Sequence, residues 1–201
     1  MNGYYNVSAF YNYSKPYNDR RYVLNLNGSL TYNHNVDLID GMKTLGNNRV
    51  INQGINFEFN EREWLEFNIG VDYNLNSVTY KTGKVALASI QNQDFSSWVI
   101  KSTSSIYIPE RFVLKYDFEY TAYKGLTSAV GSNYATMNAS LAKQLFKKQN
   151  GVLKFQAFDL FNQNSNISRI ITANSIIDTR SNRLTRYFML SFTCRLQKFK
   201  E

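Results

Sequence analysis

Cysteine and histidine, the usual makings of a metal site or a cross-link, are almost missing from this chain of 201 residues. The single cysteine, Cys194, excludes an intramolecular disulfide and any multi-cysteine metal site. A single histidine, His34, leaves no zinc cluster to propose. Proline and glycine are also sparse, at 2 and 10 residues, which excludes a flexible low-complexity chain. Long apolar runs are absent. The longest, such as Val85 to Ala88 or Tyr187 to Leu190, are only a few residues, whereas a membrane-spanning helix needs roughly 20. Met1 to Phe10 carry neither a basic start nor an apolar core with a small-residue cleavage site, so no signal peptide is expected there. The chain is therefore expected either to be cytosolic or to begin inside a longer reading frame.

Aromatics and asparagine are plentiful instead. Aromatic residues make up 15%, with 15 Tyr and 14 Phe, and 25 residues are Asn, a high share for a packed soluble core. Apolar and polar residues alternate with a period of two, the mark of a strand with two unlike faces. From Tyr22 the even positions read Tyr22, Leu24, Leu26, Gly28, Leu30 and Tyr32, against Val23, Asn25, Asn27, Ser29, Thr31 and Asn33. From Leu65 to Leu75 the odd positions are all apolar, against Glu66, Asn68, Gly70, Asp72 and Asn74. The pattern returns at Ile51 to Phe59, interrupted by Gln53, at Phe112 to Tyr120, and near the end, where Phe188, Leu190, Phe192, Cys194 and Leu196 share one parity. Weaker alternation covers Gly3 to Tyr13, Phe95 to Ile108, Tyr134 to Leu145 and Val152 to Asn162.

About nine strands result, most of 10 or more residues against a mean of roughly 5 or 6 in soluble proteins. Membrane-crossing strands need about 9 to 11. Short polar turns are expected at Ser14 to Asp19, Asn60 to Glu63, Pro109 to Arg111 and Phe146 to Gly151. Long loops are expected between them, at His34 to Asn48, Asn76 to Asp94, Tyr123 to Gly131 and Gln163 to Asn182. An outer-membrane barrel has this asymmetry, with short periplasmic turns and long outer loops. Tyr22 and Tyr32 fit aromatic girdles at the two interfaces, and the Asn, Ser and Thr of the other face suit a wet lumen. The expected fold is therefore all-β: residues 1–201 as one antiparallel transmembrane β-barrel segment. The alternative is a soluble antiparallel β-sandwich binding module, whose alternation would mean one buried and one wet face. Because a complete single-chain bacterial barrel has an even strand number, an odd count implies a piece of a larger one. Residues 168 to 178 are read as part of a large outer loop rather than as a tenth strand.

The last fifty residues add a motif. Gly151-Val-Leu-Lys-Phe-Gln-Ala-Phe-Asp-Leu-Phe-Asn-Gln-Asn164, then Ser168-Arg169, Asp178, Asn182 and Leu184, lead into Arg186-Tyr-Phe-Met-Leu-Ser-Phe-Thr-Cys-Arg-Leu196. This resembles the carboxyl end of TonB-dependent receptors, and more closely the outer-membrane β-barrel family of that superfamily. There, a strand ending in a short Asp/Asn-Leu-Phe/Leu-Asn box precedes a loop and a closing Arg-Tyr-Phe-x-Leu strand. The resemblance implies a barrel of about 22 strands with an amino-terminal plug, neither plug nor TonB box lying in this chain. It implies a bacterial outer-membrane location, ligand uptake rather than enzymatic activity, and no cofactor. The implied partners are outer-membrane lipids and lipopolysaccharide, the rest of the barrel and plug, the TonB complex through that plug, and the barrel-assembly machinery. Phe199 stands for the usual terminal aromatic, with Lys200 and Glu201 after it.

Individual residues yield narrower expectations. Phe188, Leu190, Phe192, Cys194 and Leu196 are expected to face lipid on the closing strand. Arg169, Arg180, Arg183 and Arg186 gather around the last outer loop, where guanidinium groups suit lipopolysaccharide phosphates or an anionic ligand. The other basic residues, within a net charge of +8, are scattered, so nucleic acid is not an expected partner. His34, read as an exposed loop residue, has no serine of its own parity nearby to make a lipid-hydrolysing triad. Asp159 and Asp178 are expected to stabilise turns through the backbone rather than bind Ca²⁺ or work as an acid–base pair.

Overall fold

The structure, a computed structural model, describes residues 4–39, 42–61, 63–81, 93–125, 133–163, 166–171, 176–181 and 184–195. It is built from β1 (Tyr5–Tyr17), β2 (Tyr22–Ile39), β3 (Met42–Glu61), β4 (Leu65–Lys81), β5 (Gln93–Ile108), β6 (Phe112–Lys124), β7 (Tyr134–Leu145), β8 (Gly151–Phe158), β9 (Asn166–Ile171), β10 (Ile176–Ser181) and β11 (Tyr187–Cys194). Nine of these form one sheet in the order β1-β2-β3-β4-β5-β6-β7-β8-β11, and β9 pairs with β10 in a separate hairpin. Every neighbouring pair is antiparallel. The sheet does not close on itself.

Several boundaries differ from the sequence reading, among them the expected loop from Asn76 to Asp94, since β4 runs on to Lys81, and the expected strand Val152 to Asn162, which ends at Phe158. Strand β1 runs on through Ser14 to Tyr17, so the turn sits later, where Arg21 N–H donates to Asn18 O at 3.0 Å. Pro16 is tolerated because β1 is an edge strand with one side of its ladder unpaired. Asn18, Asp19 and Arg20 all take positive φ, at 48°, 53° and 67°, a conformation that Asn and Asp adopt most easily. The expected outer loop from His34 to Asn48 is largely strand, since β2 and β3 pair as far as Ile39 opposite Met42. Likewise the expected loop from Gln163 to Asn182, residues 168–178 included, contains the β9–β10 hairpin. In each case backbone pairing continues wherever two chains lie alongside, whether or not the side chains alternate. The 20 residues of β3 thus far exceed the roughly 9 to 11 that cross a membrane, and the excess extends toward the long-connection end.

The described residues form no conventional core behind the sheet. Among the described residues only Val78 and Ala157 are buried hydrophobics, at 1% and 7% exposure. Leu190, Phe192 and Ile55 stay 68%, 58% and 48% exposed. A sandwich covers its apolar face with a second sheet about 10 Å away; among the described residues none covers it.

Candidate functional site

Antiparallel register forces directly opposed residues onto one face, and applied across the sheet it resolves two walls. On one, Leu26 lies opposite Ile55, Ile55 opposite Val71, Val71 opposite Ile100, and Ile100 opposite Tyr120. The same wall continues through Leu141, Phe155 and Leu190. Aromatics mark its short-turn end, with Tyr22 stacked on Phe59 at 5.2 Å and Lys143 lying 4.4 Å from the Phe112 ring centroid. From Tyr22 to Tyr32 is about 33 Å along the strand, or about 25 Å in height at a barrel tilt of some 40°, the height of an outer-membrane apolar band.

The opposite wall is hydrogen-bonded. Asn56 and Asn68 exchange amide bonds at 2.9 and 3.2 Å. Asn52 donates to Ser29 at 3.0 Å, Asn74 to Ser97 at 3.3 Å, and Asn25 to Glu58 at 2.8 Å. Lys101 pairs with Asp72 at 3.3 Å, and Tyr107 donates to Glu66 at 3.1 Å. A cavity of about 450 Å³ spans β3 to β8, its lining including Glu58, Glu66, Thr103, Lys115, Asp117 and Asn138 of this face. Such a wall offers a hydrated solute amide, hydroxyl and charged groups. No three His, Cys, Asp or Glu side chains converge on a metal-sized site among the described residues.

One polar residue stands on the apolar wall, and its neighbours explain it. Gln53 lies opposite Gly28, which lies opposite Tyr11. The Tyr11 hydroxyl reaches over the glycine and donates to Gln53 Oε1 at 2.5 Å. A Cβ on Gly28 would sit 2.6 Å from Gln53 Nε2, so only glycine leaves the crossing open. In the sequence Gln53 is an interruption of the apolar face; its partners depend on register, which a single strand does not reveal.

The Asp159-Leu-Phe-Asn162 box is a turn that ties four parts of the chain together. Asp159 is 3% exposed with φ of 50°, and its Oδ1 accepts Gln163 N–H at 3.1 Å. Its own N–H donates to Asn138 Oδ1 at 3.0 Å, and Leu160 N–H to Met137 O at 2.8 Å, fixing the box to β7. Asn162 Oδ1 accepts Arg186 N–H at 3.2 Å, one residue before β11. The Phe161 ring meets Phe118 edge-on at 6.4 Å. The turn role expected of Asp159 is what the geometry gives.

The other singled-out residues are placed as follows. Phe188, Leu190, Phe192 and Cys194 lie opposite Ala157, Phe155, Leu153 and Gly151, all exposed on the apolar wall, while Leu196 lies outside the described residues. Arg169 faces Asp178 and Arg180 faces Ile167 in the β9–β10 ladder. Arg183 lies outside the described residues. Arg186 is not a free loop cation, because its guanidinium donates to Leu160 O at 3.4 Å. His34 is not in a loop either. It sits within β2, half-buried, with Nδ1 2.7 Å from Asn47 Oδ1 and its ring stacked on Tyr5 at 5.0 Å. Ser29 is on the opposite wall, which denies the imidazole a nucleophile there.

Comparison with known proteins agrees with the two-walled sheet. No curated protein and no solved structure matches the chain. The family described as outer membrane protein beta-barrel family matches residues 1–193, nearly the whole chain. The protein belongs to that family, and its place is the bacterial outer membrane.

Proposed function

We propose that this chain is the carboxyl-terminal wall of a TonB-dependent outer-membrane receptor, in which ligand passes along the Asn- and Ser-rich face while the apolar face meets lipid. The observation that carries this reading is the coupling of the two halves of the closing motif: Asn162 of the Asp-Leu-Phe-Asn box holds Arg186 at the entry to β11. Topology supports it. Strands β1 and β11 run in the same direction, so antiparallel closure needs an odd number of further strands. A barrel of about 22 strands meets that condition. The wall takes no chemical step. Its work is to hold hydrogen-bonding groups along a water-filled path, while Arg169 and Arg180 of the β9–β10 hairpin attract anionic ligand or lipopolysaccharide. A plug, the TonB complex acting on it and the barrel-assembly machinery complete the system.

Uptake tests this. Cells with the gene intact or disrupted are given labelled iron chelates, a cobalamin and oligosaccharides, each with and without a working TonB. One ligand whose accumulation needs both the gene and TonB is expected. Entry that needs the gene but continues without TonB marks a passive porin and refutes the receptor reading.

A further inference from the structure

The apolar wall changes character at its long-connection end. Val7, 58% exposed, lies opposite Tyr32, and aliphatics return further out as Val36 opposite Leu45, but the unbroken run ends with Leu30, 46% exposed, opposite Ile51. One pair further out, Tyr32 lies opposite Arg49, and beyond it His34 lies between Tyr5 and Asn47. These five side chains form one ordered group. Asn47 Oδ1 accepts the Tyr32 hydroxyl at 2.9 Å and lies 2.7 Å from His34 Nδ1. The Tyr5 ring stacks on His34 at 5.0 Å and stands 5.9 Å from Tyr32. The exposed Arg49 guanidinium rests 5.8 Å from the Tyr32 ring centroid and makes no ion pair among the described residues.

Charge and position together choose an occupant. Asp94 is the nearest acid on this wall by register, two strands from Arg49, about 10 Å at the usual strand spacing. Its carboxylate accepts the Ser77 hydroxyl at 2.6 Å. Arg49 therefore presents a planar fork of donors, propped on an aromatic ring, just above an aliphatic floor. In an outer-membrane barrel that level is where hydrocarbon gives way to headgroups. Resting on the reading of this face as lipid-facing, we propose that Arg49, with Tyr5, Tyr32, His34 and Asn47, seats the phosphate of an outer-leaflet lipid, whose acyl chains begin against Val7, Leu30 and Ile51. The ring stack and the shared Asn47 acceptor hold the seat in shape, so little ordering is left for lipid binding to impose.

The test uses protein extracted in mild detergent from the outer membranes of the cells that make it, reconstituted into phosphatidylcholine vesicles. Spin-labelled phosphatidic acid or phosphatidylcholine is added, and the label immobilised at the protein is measured. Wild type is expected to prefer phosphatidic acid. Arg49→Gln should lower that preference about fivefold, the weight of one basic side chain at an anionic surface. Arg49→Lys should keep most of it. Arg21→Gln, at the opposite end beside Glu61, should not change it. Unchanged preference in Arg49→Gln overturns the seat. So does its abolition by millimolar inorganic phosphate, which would make this a site for the free ion. A membrane-soluble carbene reagent should label Leu30 and Ile55 in every variant. Failure of that labelling refutes the lipid-facing assignment and the seat with it, whereas normal labelling with unchanged preference refutes the seat alone.

Discussion

Replacing Asp159 separates the two physical terms that hold the Asp-Leu-Phe-Asn turn. The carboxylate accepts Gln163 N–H at 3.1 Å from a residue that is 3% exposed. Hydrogen bonds to charged groups contribute about 1.5–3 kcal/mol, and the lower end applies because Gln163 itself is exposed and water can take its N–H. The second term is conformational. At φ of 50° an ordinary side chain costs about 1–2 kcal/mol, a cost that Asp and Asn partly escape and glycine escapes fully. Asp159→Ala loses the bond and meets the strain, for a total of about 2–3 kcal/mol. Asp159→Gly loses what the carboxylate holds but escapes the strain, about 1.5 kcal/mol. Asp159→Asn keeps an acceptor and tolerates the backbone, at about 0.5–1 kcal/mol. The assay is guanidinium unfolding of the vesicle-reconstituted protein, followed by tryptophan fluorescence. Hydrogen exchange at Leu160, whose N–H is bonded to Met137 O, should quicken in the same order. Glycine as costly as alanine would refute the conformational term. All three variants within about 0.5 kcal/mol of wild type would show that the knot holds nothing.

Two further perturbations probe the walls. Tyr11→Phe removes the hydroxyl that Gln53 accepts on the lipid side and should destabilise by about 1–2 kcal/mol, while the double variant with Gln53→Leu should recover most of the loss; equal losses in the single and double variants would refute the pairing. Ile55→Arg, central on the apolar wall, should cost about 2–4 kcal/mol in vesicles, against little for Thr103→Arg on the opposite wall, and equal costs would overturn the assignment of faces.

How much of this was legible depended on whether a feature belongs to one strand or to two. The alternation from Tyr22 to Tyr32 and from Leu65 to Leu75 is a property of single strands, and both stand in β2 and β4 as read. The turn Pro109–Arg111 also coincides, since proline and its neighbours act locally. The long connections were misjudged because loss of alternation was taken as loss of pairing. A local signal for the β2–β3 hairpin was nonetheless present. Asp40-Gly41 stands between Val36, Leu38 and Ile39 on one side and Met42 and Leu45 on the other, and Asp-Gly between such residues favours a two-residue turn. β9 and β10 are rich in Ile but alternate too little to be seen as wall strands.

Features that span strands were hidden for a different reason. Gln53 reads as a flaw until register puts Gly28 and Tyr11 beside it, and His34 reads as a loop residue until Asn47 and Tyr5 flank it. Gln53 lies on β3 and His34 on β2, and both answer one physical problem. A polar atom on a lipid-facing wall has no water to bond, so its partner must come from a neighbouring strand. The solution differs with height. Toward the middle of the band, Tyr11 spans a glycine to cap Gln53 and no net charge remains. At the outer end, Asn47 serves two partners and leaves the Arg49 guanidinium facing outward. Charge on this wall stands toward its ends, with Arg49 at the outer one and Lys15, opposite Leu24, and Lys143 near the short-turn one. If this wall meets lipid as proposed, the register of β1, β2 and β3 therefore brackets the depth of the sheet in its bilayer as well as setting its pairing.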